Sequence, residues 1–433
     1  MIRQLTDGTT ELTPSHTVWE TISSRWRRSG LRELLPFLGP AFLVSVGYMD
    51  PGNWGTDIEG GARFGYQLLW VILLSNIMAI FLQSLSAKLG IVSNRTLAEN
   101  CRVHYPRPLS IFLWITAEFA AMATDLAEFL GAALGFYLLF GIPLFPAALL
   151  AGAVVFLTLN LYRYGYRVVE YVILGYVSII GLAYVLEVYL SSPEWTQIVY
   201  HTVVPRINSE SILVAVGILG ATVMPHNLYL HSGLVQSRLI NGSRIQNSKH
   251  VRFAIADSII GLNMAFFINA AILIMSAAVF NRHGIAVASI EEAHNTLRPL
   301  LGELSAGAFA VALLCSGLSS STTGTLAGQM IFEGFLNLRI PLWFRRAVTM
   351  IPALIVIALG WDPLKILVLS QVSLSLQLPF AVVPLIHFTS SRKILGDYAN
   401  RPLTVVLAIL AALVIIGLNG LLLFQVFGGQ FSL

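Results

Sequence analysis

The residues Asp50-Pro51-Gly52-Asn53 interrupt a long apolar run, residues 36–61, that is otherwise suited to a membrane-spanning helix. A charge near the centre of a bilayer costs at least ~2.5–3.5 kcal/mol on insertion scales. Pro51 lacks a backbone donor and clashes with the preceding turn, and Gly52 accepts almost any backbone conformation, so the helix is expected to break here. Irregular backbone at membrane depth is stable only against protein or water. This tetrapeptide is therefore a candidate binding site.

The composition indicates an all-α polytopic membrane protein. The chain has 433 residues, of which 56% are hydrophobic and 11% are charged, and its mean hydropathy is +0.75. A span needs roughly 20 apolar residues, and on this criterion we expect eleven transmembrane helices. They lie near residues 36–61, 66–88, 109–139, 143–162, 168–190, 211–237, 253–280, 303–333, 343–360, 364–389 and 403–427. Residues 1–35 would form a cytoplasmic tail, and residues 36–427 a single transmembrane domain.

The distribution of basic residues predicts an orientation. With the N-terminus inside, all but five of the 26 lysines and arginines fall in cytoplasmic segments, as the positive-inside rule requires. The five in outer loops are Arg63, Arg206, Arg282, Arg298 and Lys365. We therefore expect a cytoplasmic N-terminus and an external C-terminus. The small net charge of +4 is then a topology signal and not a surface for nucleic acid.

A second break, Met224-Pro225-His226-Asn227, interrupts the sixth predicted span. Each break falls in the first span of a block of five, and an odd block size inverts the second block relative to the first. This layout is typical of transporters built from inverted repeats around two discontinuous helices. Helices 1–5 (residues 36–190) and helices 6–10 (residues 211–389) would be the repeats, and helix 11 (residues 403–427) an appendage.

The two breaks together offer ligands for a metal ion. Asp50, Asn53 and Met224 supply a carboxylate, an amide and a thioether, and unwound helices supply free carbonyl oxygens. Mg²⁺ and Ca²⁺ prefer all-oxygen shells, whereas soft sulfur favours later or softer metals. The pattern therefore suits Mn²⁺, Fe²⁺ and their neighbours. Two plainer interpretations stay open: Met224 could fill the core, and Asn53 could cap the second half-helix, which is compatible with ligation.

Three carboxylates follow one face of the third predicted span. Glu118, Asp125 and Glu128 stand at i, i+7 and i+10, which places them within about 80° of one another. Three arginines near the cytoplasmic side are candidate partners: Arg238, Arg345 and Arg346. The set can be interpreted as a proton relay toward the cytoplasm or as buried salt bridges that hold helices together.

Two histidines follow the second break. His226 adjoins Met224, and His231 lies further along the same predicted helix. An imidazole can bind a metal, but titration near neutral pH also suits proton transfer or gating. We assign His226 to proton transfer or gating and leave the role of His231 open.

Five blocks of the chain resemble the Nramp (natural resistance-associated macrophage protein) family of proton-coupled divalent-metal transporters. The two breaks look like the paired signature of that family, and three further blocks follow in order. These are Ala-Thr-Asp-Leu-Ala-Glu-Phe at 123–129, Gly-Thr-Leu-Ala-Gly-Gln at 324–329 and Arg-Arg-Ala-Val-Thr-Met at 345–350. The chain most resembles bacterial manganese transporters. The resemblance implies a leucine-transporter-type fold in a plasma (inner) membrane, with Mn²⁺ or Fe²⁺ and H⁺ as transported substrates and no permanently bound cofactor.

The resemblance also implies a ligand set. The ligands would be the side chains of Asp50, Asn53, Met224 and, in some states, Gln371, and the backbone carbonyls of Gly47 and Ala221. Gly47 replaces an alanine of many members, which should keep a carbonyl ligand while loosening the backbone. Asp50 and Glu128 would be the first proton acceptors. Branches of the family that move magnesium or aluminium lack the methionine or alter the first tetrapeptide, so the intact motifs argue against those substrates.

The sequence thus predicts proton-coupled import of divalent transition-metal ions by alternating access, chiefly of Mn²⁺, with Fe²⁺ as a candidate second substrate. An amino-acid transporter of the same fold would hold its substrate's carboxylate at half-helix N-termini, where Asp50 would repel it. An intramembrane metalloenzyme could use His226, His231 and Asp50, but the chain contains no His-Glu-x-x-His motif. The expected partners are metal ions, protons and the lipid bilayer, and the expected functional unit is a monomer.

Overall fold

The computed structural model describes residues 38–208, 210–238, 244–285, 287, 289–361 and 363–426. Within these residues the regular elements are α-helices and short 3₁₀ segments, without a strand, which confirms the all-α prediction. The predicted tail, residues 1–35, lies outside the described residues.

The helices follow one another with short connections. In chain order they are α1 (Pro40–Gly47), α2 (Pro51–Phe64), α3 (Leu69–Ser93), α4 (Leu97–His104), α5 (Arg107–Phe140), α6 (Leu144–Asn160), α7 (Tyr166–Ser191), α8 (Trp195–Val203), α9 (Ser211–Thr222), α10 (Pro225–Leu234), α11 (Arg244–Val279), α12 (Ile290–Leu301), α13 (Glu303–Leu336), α14 (Leu342–Ala358), α15 (Pro363–Ser390), α16 (Arg392–Leu395) and α17 (Pro402–Val426).

Every predicted span coincides with a helix or with a pair of helices. The first span is the pair α1 and α2, and the sixth is the pair α9 and α10, so both predicted breaks are present. Eight helices of the described residues are long and apolar enough to cross a membrane, with α2 and α3 forming one of them. Because α1 has 8 residues and α6 and α14 have 17 residues each, the count of eleven spans stays a prediction.

Local sequence explains where several helices begin and end. Pro51 and Pro225 are the first residues of α2 and α10. A backbone N–H at the first helical position has no acceptor within the helix, so proline loses no hydrogen bond there. α5 ends at Gly141, which has a positive φ of 66° and whose N–H bonds to the carbonyl of Tyr137. α13 ends at Asn337, also in the left-handed region.

Small residues bring α5 close to the first break and to α13. A Cβ on Gly131 of α5 would lie 2.1 Å from Cγ of Pro51, and a Cβ on Gly317 of α13 would lie 2.3 Å from the backbone nitrogen of Ala132. Close helix contacts of this kind rely on residues without a bulky side chain. The helix that carries the three carboxylates therefore packs directly against the first break.

The outer faces suit a lipid environment. Large apolar side chains are exposed along α5 and α7, among them Phe119, Leu182 and Val185. Cys101 and Cys315 are buried free thiols in this part of the chain. The fold is that of an integral membrane protein.

Candidate metal site

The first break is anchored by side chains from other helices. The carbonyl of Tyr48 accepts a hydrogen bond from Asn269 of α11 at 2.8 Å. The carbonyl of Met49 accepts from Ser316 of α13 at 2.5 Å and from the indole nitrogen of Trp54 at 3.1 Å. These two backbone carbonyls of the break are thus satisfied within the protein, as membrane depth requires.

Asp50 is the N-cap of α2, and it is fully buried. Its Oδ1 accepts hydrogen bonds from the backbone nitrogen of Asn53 at 3.0 Å and from the Asn53 side-chain nitrogen at 2.7 Å. Its Oδ2 is 3.4 Å from Nε2 of Gln371 on α15. The interpretation of Asn53 as the cap is wrong, because the carboxylate of Asp50 caps the helix and Asn53 donates to it. One carboxylate oxygen, Oδ2, keeps most of its accepting capacity.

The second break also lies between two half-helices, but within the described residues its N-cap residue makes no side-chain hydrogen bond to the second half-helix. α9 ends at Thr222, and α10 begins at Pro225 after the N-cap Met224, whose thioether makes no capping bond in the described structure. Ala221 and Met224 are both fully buried. The second break therefore places a thioether at the position where the first break has a carboxylate.

The two carbonyls of the implied ligand set share a physical cause. A helical carbonyl normally accepts from the N–H four residues later. For Gly47 that residue is Pro51, and for Ala221 it is Pro225, and proline has no N–H. Each break proline thus leaves the carbonyl of the residue four positions earlier without its helical donor.

Two buried amides lie against glycines on either side of Asp50. A Cβ on Gly52 would lie 1.6 Å from Nε2 of Gln371, and a Cβ on Gly47 would lie 2.3 Å from Nδ2 of Asn227. The glycine at 47 therefore makes room for Asn227, a role that the sequence interpretation missed. The only signal in the sequence was that both tetrapeptides end in asparagine.

Two cavities extend from this region along α2. Their volumes are about 170 Å³ and 130 Å³. Both are lined by Thr56, Glu59 and Gln371, and the larger one also by Gly52 and Gly55. This space leads toward Gln371, which contacts Asp50.

Each of the first two carboxylates on α5 has its own arginine on α14. Glu118 pairs with Arg345 at 2.5 Å, and Asp125 pairs with Arg346 at 3.5 Å. The guanidinium of Arg346 also lies 5.2 Å from the centre of the Phe129 ring. The predicted pairing of these arginines with the acidic face of α5 is therefore present.

Glu128 differs from the other two carboxylates. It is fully buried, and neither of its oxygens makes a hydrogen bond of normal geometry within the described residues, although Ser320 is a neighbour. A Cβ on Gly324 would lie 2.4 Å from Oε2 of Glu128, and a Cβ on Gly328 would lie 2.3 Å from a guanidinium nitrogen of Arg345. The glycines of the 324–329 block thus make room for the charged groups.

Arg238 does not join this set. It follows α10 in a short 3₁₀ segment, Val235–Arg238, and forms an ion pair with Glu170 of α7. The pair adjoins Gly39 at the start of α1, because a Cβ there would contact both side chains. The prediction that Arg238 partners the carboxylates of α5 is wrong, since the end of α10 turns toward α1 and α7.

The two histidines of α10 have different neighbours. Nδ1 of His226 is 3.2 Å from Oγ1 of Thr124 on α5, next to Asp125. Nδ1 of His231 is 3.0 Å from Oε1 of Gln83, whose Nε2 donates to the hydroxyl of Tyr48 at 2.8 Å. His226 therefore lies between the second break and the carboxylates, and His231 is tied to the first break.

The sequence interpretation also missed three buried carboxylates, Asp57 on α2, Glu187 on α7 and Asp257 on α11. Glu187 accepts a hydrogen bond from Ser305 at 2.7 Å. In the part of the chain that the structure describes, however, no group of three or more His, Cys, Asp and Glu side chains is arranged to hold a metal ion. A metal site here would need amide, thioether and carbonyl ligands, which are the groups gathered at the two breaks.

Comparison with known proteins agrees with this architecture. The family model described as "Natural resistance-associated macrophage protein-like" (Nramp) matches residues 41–425. The chain is 53% identical over 401 residues to the Divalent metal cation transporter MntH of Caldanaerobacter subterraneus subsp. tengcongensis, which covers 92% of this chain and 95% of that protein.

Solved structures show the same fold. The crystal structure of the Eremococcus coleocola manganese transporter matches with a TM-score of 0.80 and 37% identity, covering 98% of this chain and 92% of that one. Mhp1, a nucleobase-cation-symport-1 family transporter, matches with a TM-score of 0.60 and 16% identity over 91% of this chain and 94% of that one, which shows a likeness of fold alone. These matches confirm the predicted leucine-transporter-type fold, and the chain belongs to the Nramp family.

Proposed function

We propose that this protein imports divalent transition-metal ions, Mn²⁺ first and Fe²⁺ second, together with protons and by alternating access. The observation that carries the proposal is the pairing of two buried helix breaks, one with the carboxylate of Asp50 and one with the thioether of Met224. The relatives that match over nearly the whole chain are a divalent metal cation transporter and a manganese transporter.

Each ligand has a defined contribution. Asp50 supplies charge through Oδ2, and Asn53 fixes that carboxylate through Nδ2, which leaves its own Oδ1 for the metal in our proposal. Gln371 brings an Oε1 that has no hydrogen-bond partner among the described residues. Met224 adds a soft ligand that disfavours Ca²⁺ and Mg²⁺. The carbonyls of Gly47 and Ala221, freed by the break prolines, complete the set.

The carboxylates of α5 carry the proton. Asp50 and Glu128 take it up first, because α5 packs on Pro51 and because the Glu128 oxygens make no hydrogen bond to an arginine within the described residues. Asp125 and Glu118, each paired with an arginine, pass it on toward the cytoplasm. His226 adjusts this transfer from the side of the second break through its contact with Thr124.

The basic residues set the orientation that we propose, with the N-terminus in the cytoplasm and the C-terminus outside the inner membrane. The cavities along α2 then open to the outside and give the metal its access route. The two repeats, residues 36–190 and 211–389, rock against each other around the breaks. One chain carries both breaks and all three carboxylates, so a monomer is sufficient for transport.

The alternatives from the sequence are less well supported. Asp50 already occupies the N-terminus of α2, where an amino-acid transporter would hold its substrate's carboxylate. The Nramp family consists of metal transporters, so the chain is a transporter and not an enzyme.

Uptake into proteoliposomes tests the proposal. With an acidic exterior, wild-type protein should accumulate Mn²⁺, and Mn²⁺ should move protons in the same direction. Asp50→Ala should abolish both signals, and Glu303→Gln, at an exposed carboxylate at the start of α13, should leave them unchanged. Mn²⁺ uptake that survives Asp50→Ala would refute the assignment.

A further inference from the structure

Asn227, in the first turn of α10, is a buried amide whose donor and acceptor are both unused. Only 1% of the residue is exposed, and neither Nδ2 nor Oδ1 has a hydrogen-bond partner within the described residues. A buried polar group left without a partner lowers stability, so its retention in a packed protein calls for an explanation.

The position of Asn227 matches that of Asn53 in the first break. Each asparagine stands three residues after the N-cap of its half-helix, Asp50 in one case and Met224 in the other. The Asn53 amide donates to the carboxylate of Asp50 at 2.7 Å. A thioether is only a weak acceptor, so Met224 does not hold the amide of Asn227 in the same way. The second asparagine is free to serve another partner.

Asn227 reaches across to the first break. A Cβ on Gly47 would lie 2.3 Å from Nδ2 and 3.0 Å from Oδ1 of Asn227, so the amide lies over the residue whose carbonyl Pro51 leaves without a helical donor. Gln371 lies over Gly52 in the same manner. The two amides thus flank Asp50 along the chain, one from α10 and one from α15.

We propose that Asn227 is a further ligand of the transported divalent cation, and that glycine occupies position 47 because an alanine would displace this amide. The side-chain oxygen of Asn227 adds a hard ligand to the soft thioether of the second break. The cation in turn supplies a partner for the buried side-chain oxygen, which has none within the described residues. This inference rests on the proposed function, since it assigns a residue to the same site.

Calorimetric titration of purified full-length protein with Mn²⁺, together with thermal unfolding, tests the inference. Asn227→Leu keeps the branched shape and removes the amide, so the Kd for Mn²⁺ should rise ~10-fold. The Tm should stay the same or increase, because an apolar group replaces an unpaired polar one. Asn227→Asp keeps an oxygen ligand and should bind Mn²⁺ at least as tightly as wild type does.

A matched control removes a buried amide elsewhere. Asn76 of α3 is buried and pairs with Asn263 of α11 at 3.2 Å. Asn76→Leu should leave the Kd for Mn²⁺ unchanged while lowering the Tm. This pattern, opposite to that of Asn227→Leu, separates a ligand from an amide that only stabilises the fold.

A double-mutant cycle tests the contact with Gly47. Gly47→Ala alone should raise the Kd about as much as Asn227→Leu, and it should add little in the Asn227→Leu background, because the displaced group is already absent. An unchanged Kd in Asn227→Leu, or additive effects of the two substitutions, would overturn the inference. If wild-type protein itself does not bind Mn²⁺, the proposed function fails; if it binds and Asn227→Leu binds equally well, only this inference fails.

Discussion

The two helix breaks share a backbone plan but differ in how their polar groups are satisfied. In the first break, Asp50 caps α2, and the released carbonyls of Tyr48 and Met49 accept hydrogen bonds from α11, from α13 and from Trp54. In the second break, Met224 provides no side-chain cap, and the amide of Asn227 has no partner within the described residues.

This difference indicates a division of roles. The first break is held in place before any metal arrives, so it can present a fixed carboxylate. The second break has polar groups that a cation would satisfy, so it stands to gain most from binding. A ligand shifts a conformational equilibrium only through such differences in interaction. We therefore expect metal binding to order the second break around the first.

Removing the charge of the first break should have the largest effect. Asn is as good an N-cap as Asp, so Asp50→Asn keeps the cap of α2 and removes only the charge. Mn²⁺ uptake should fall by at least ~100-fold, because the buried Mn²⁺ ion would lose the negative charge of the Asp50 carboxylate. Asp257→Asn is the matched control, because Asp257 also accepts backbone bonds at a helix start, from Gly39 and Ala41. Equal losses in the two variants would contradict the special role of Asp50.

Proton coupling should depend more on Glu128, on the helix that packs against the first break, than on His226 in the second break. Glu128→Gln keeps the shape of the side chain but cannot release a proton, so proton movement with Mn²⁺ should disappear while Mn²⁺ uptake falls by ~10-fold. His226→Gln should reduce coupling less, because the hydrogen bond that joins His226 to α5 goes to Thr124 and not to a carboxylate. A pH-sensitive dye inside the liposomes measures both. Unchanged proton movement in Glu128→Gln would remove this residue from the pathway.

Selectivity should depend on the second break. Met224→Ala removes the soft ligand, so discrimination of Mn²⁺ against Ca²⁺ should fall by ~10-fold while Mn²⁺ transport persists. Competition of Ca²⁺ with Mn²⁺ uptake is the measurement. If Met224→Ala and wild type are inhibited equally by Ca²⁺, the thioether has no part in selectivity.

The smallest effect on Mn²⁺ transport is expected from substitutions outside both breaks. Glu59 borders both cavities and is half-exposed, with Arg63 at 2.7 Å. Glu59→Gln should raise the KM for Mn²⁺ by ~2-fold at low ionic strength, and the difference should vanish at high salt because exposed charges are screened. Arg63→Gln should instead lower the KM for Mn²⁺ at low ionic strength. A salt-independent change would indicate a structural role for Glu59.

The features that the sequence predicted are those that depend on neighbours along the chain. Apolar length located the long helices, proline and glycine located the breaks, and a helical period placed Glu118, Asp125 and Glu128 on one face of α5. The arginines of α14 were also paired correctly with this face. Each of these patterns has a direct counterpart in local backbone geometry.

The features that the sequence missed depend on which distant residues pack together. No local pattern indicates that Asn227 lies against Gly47, or that Gly324 makes room for Glu128. The pairing of Arg238 with Glu170 likewise follows from the direction in which the chain leaves α10. The sequence interpretation missed the capping of α2 by Asp50 because it assigned this carboxylate only to metal binding and proton uptake.

Diffraction from crystals soaked in Mn²⁺ and recorded at the manganese absorption edge tests the central claim, that the two breaks form one metal site. The account predicts an anomalous peak within bonding distance of both the Asp50 carboxylate and the Met224 sulfur, and no such peak in Asp50→Asn. A peak bound to one break alone, or an unchanged peak in Asp50→Asn, would contradict it.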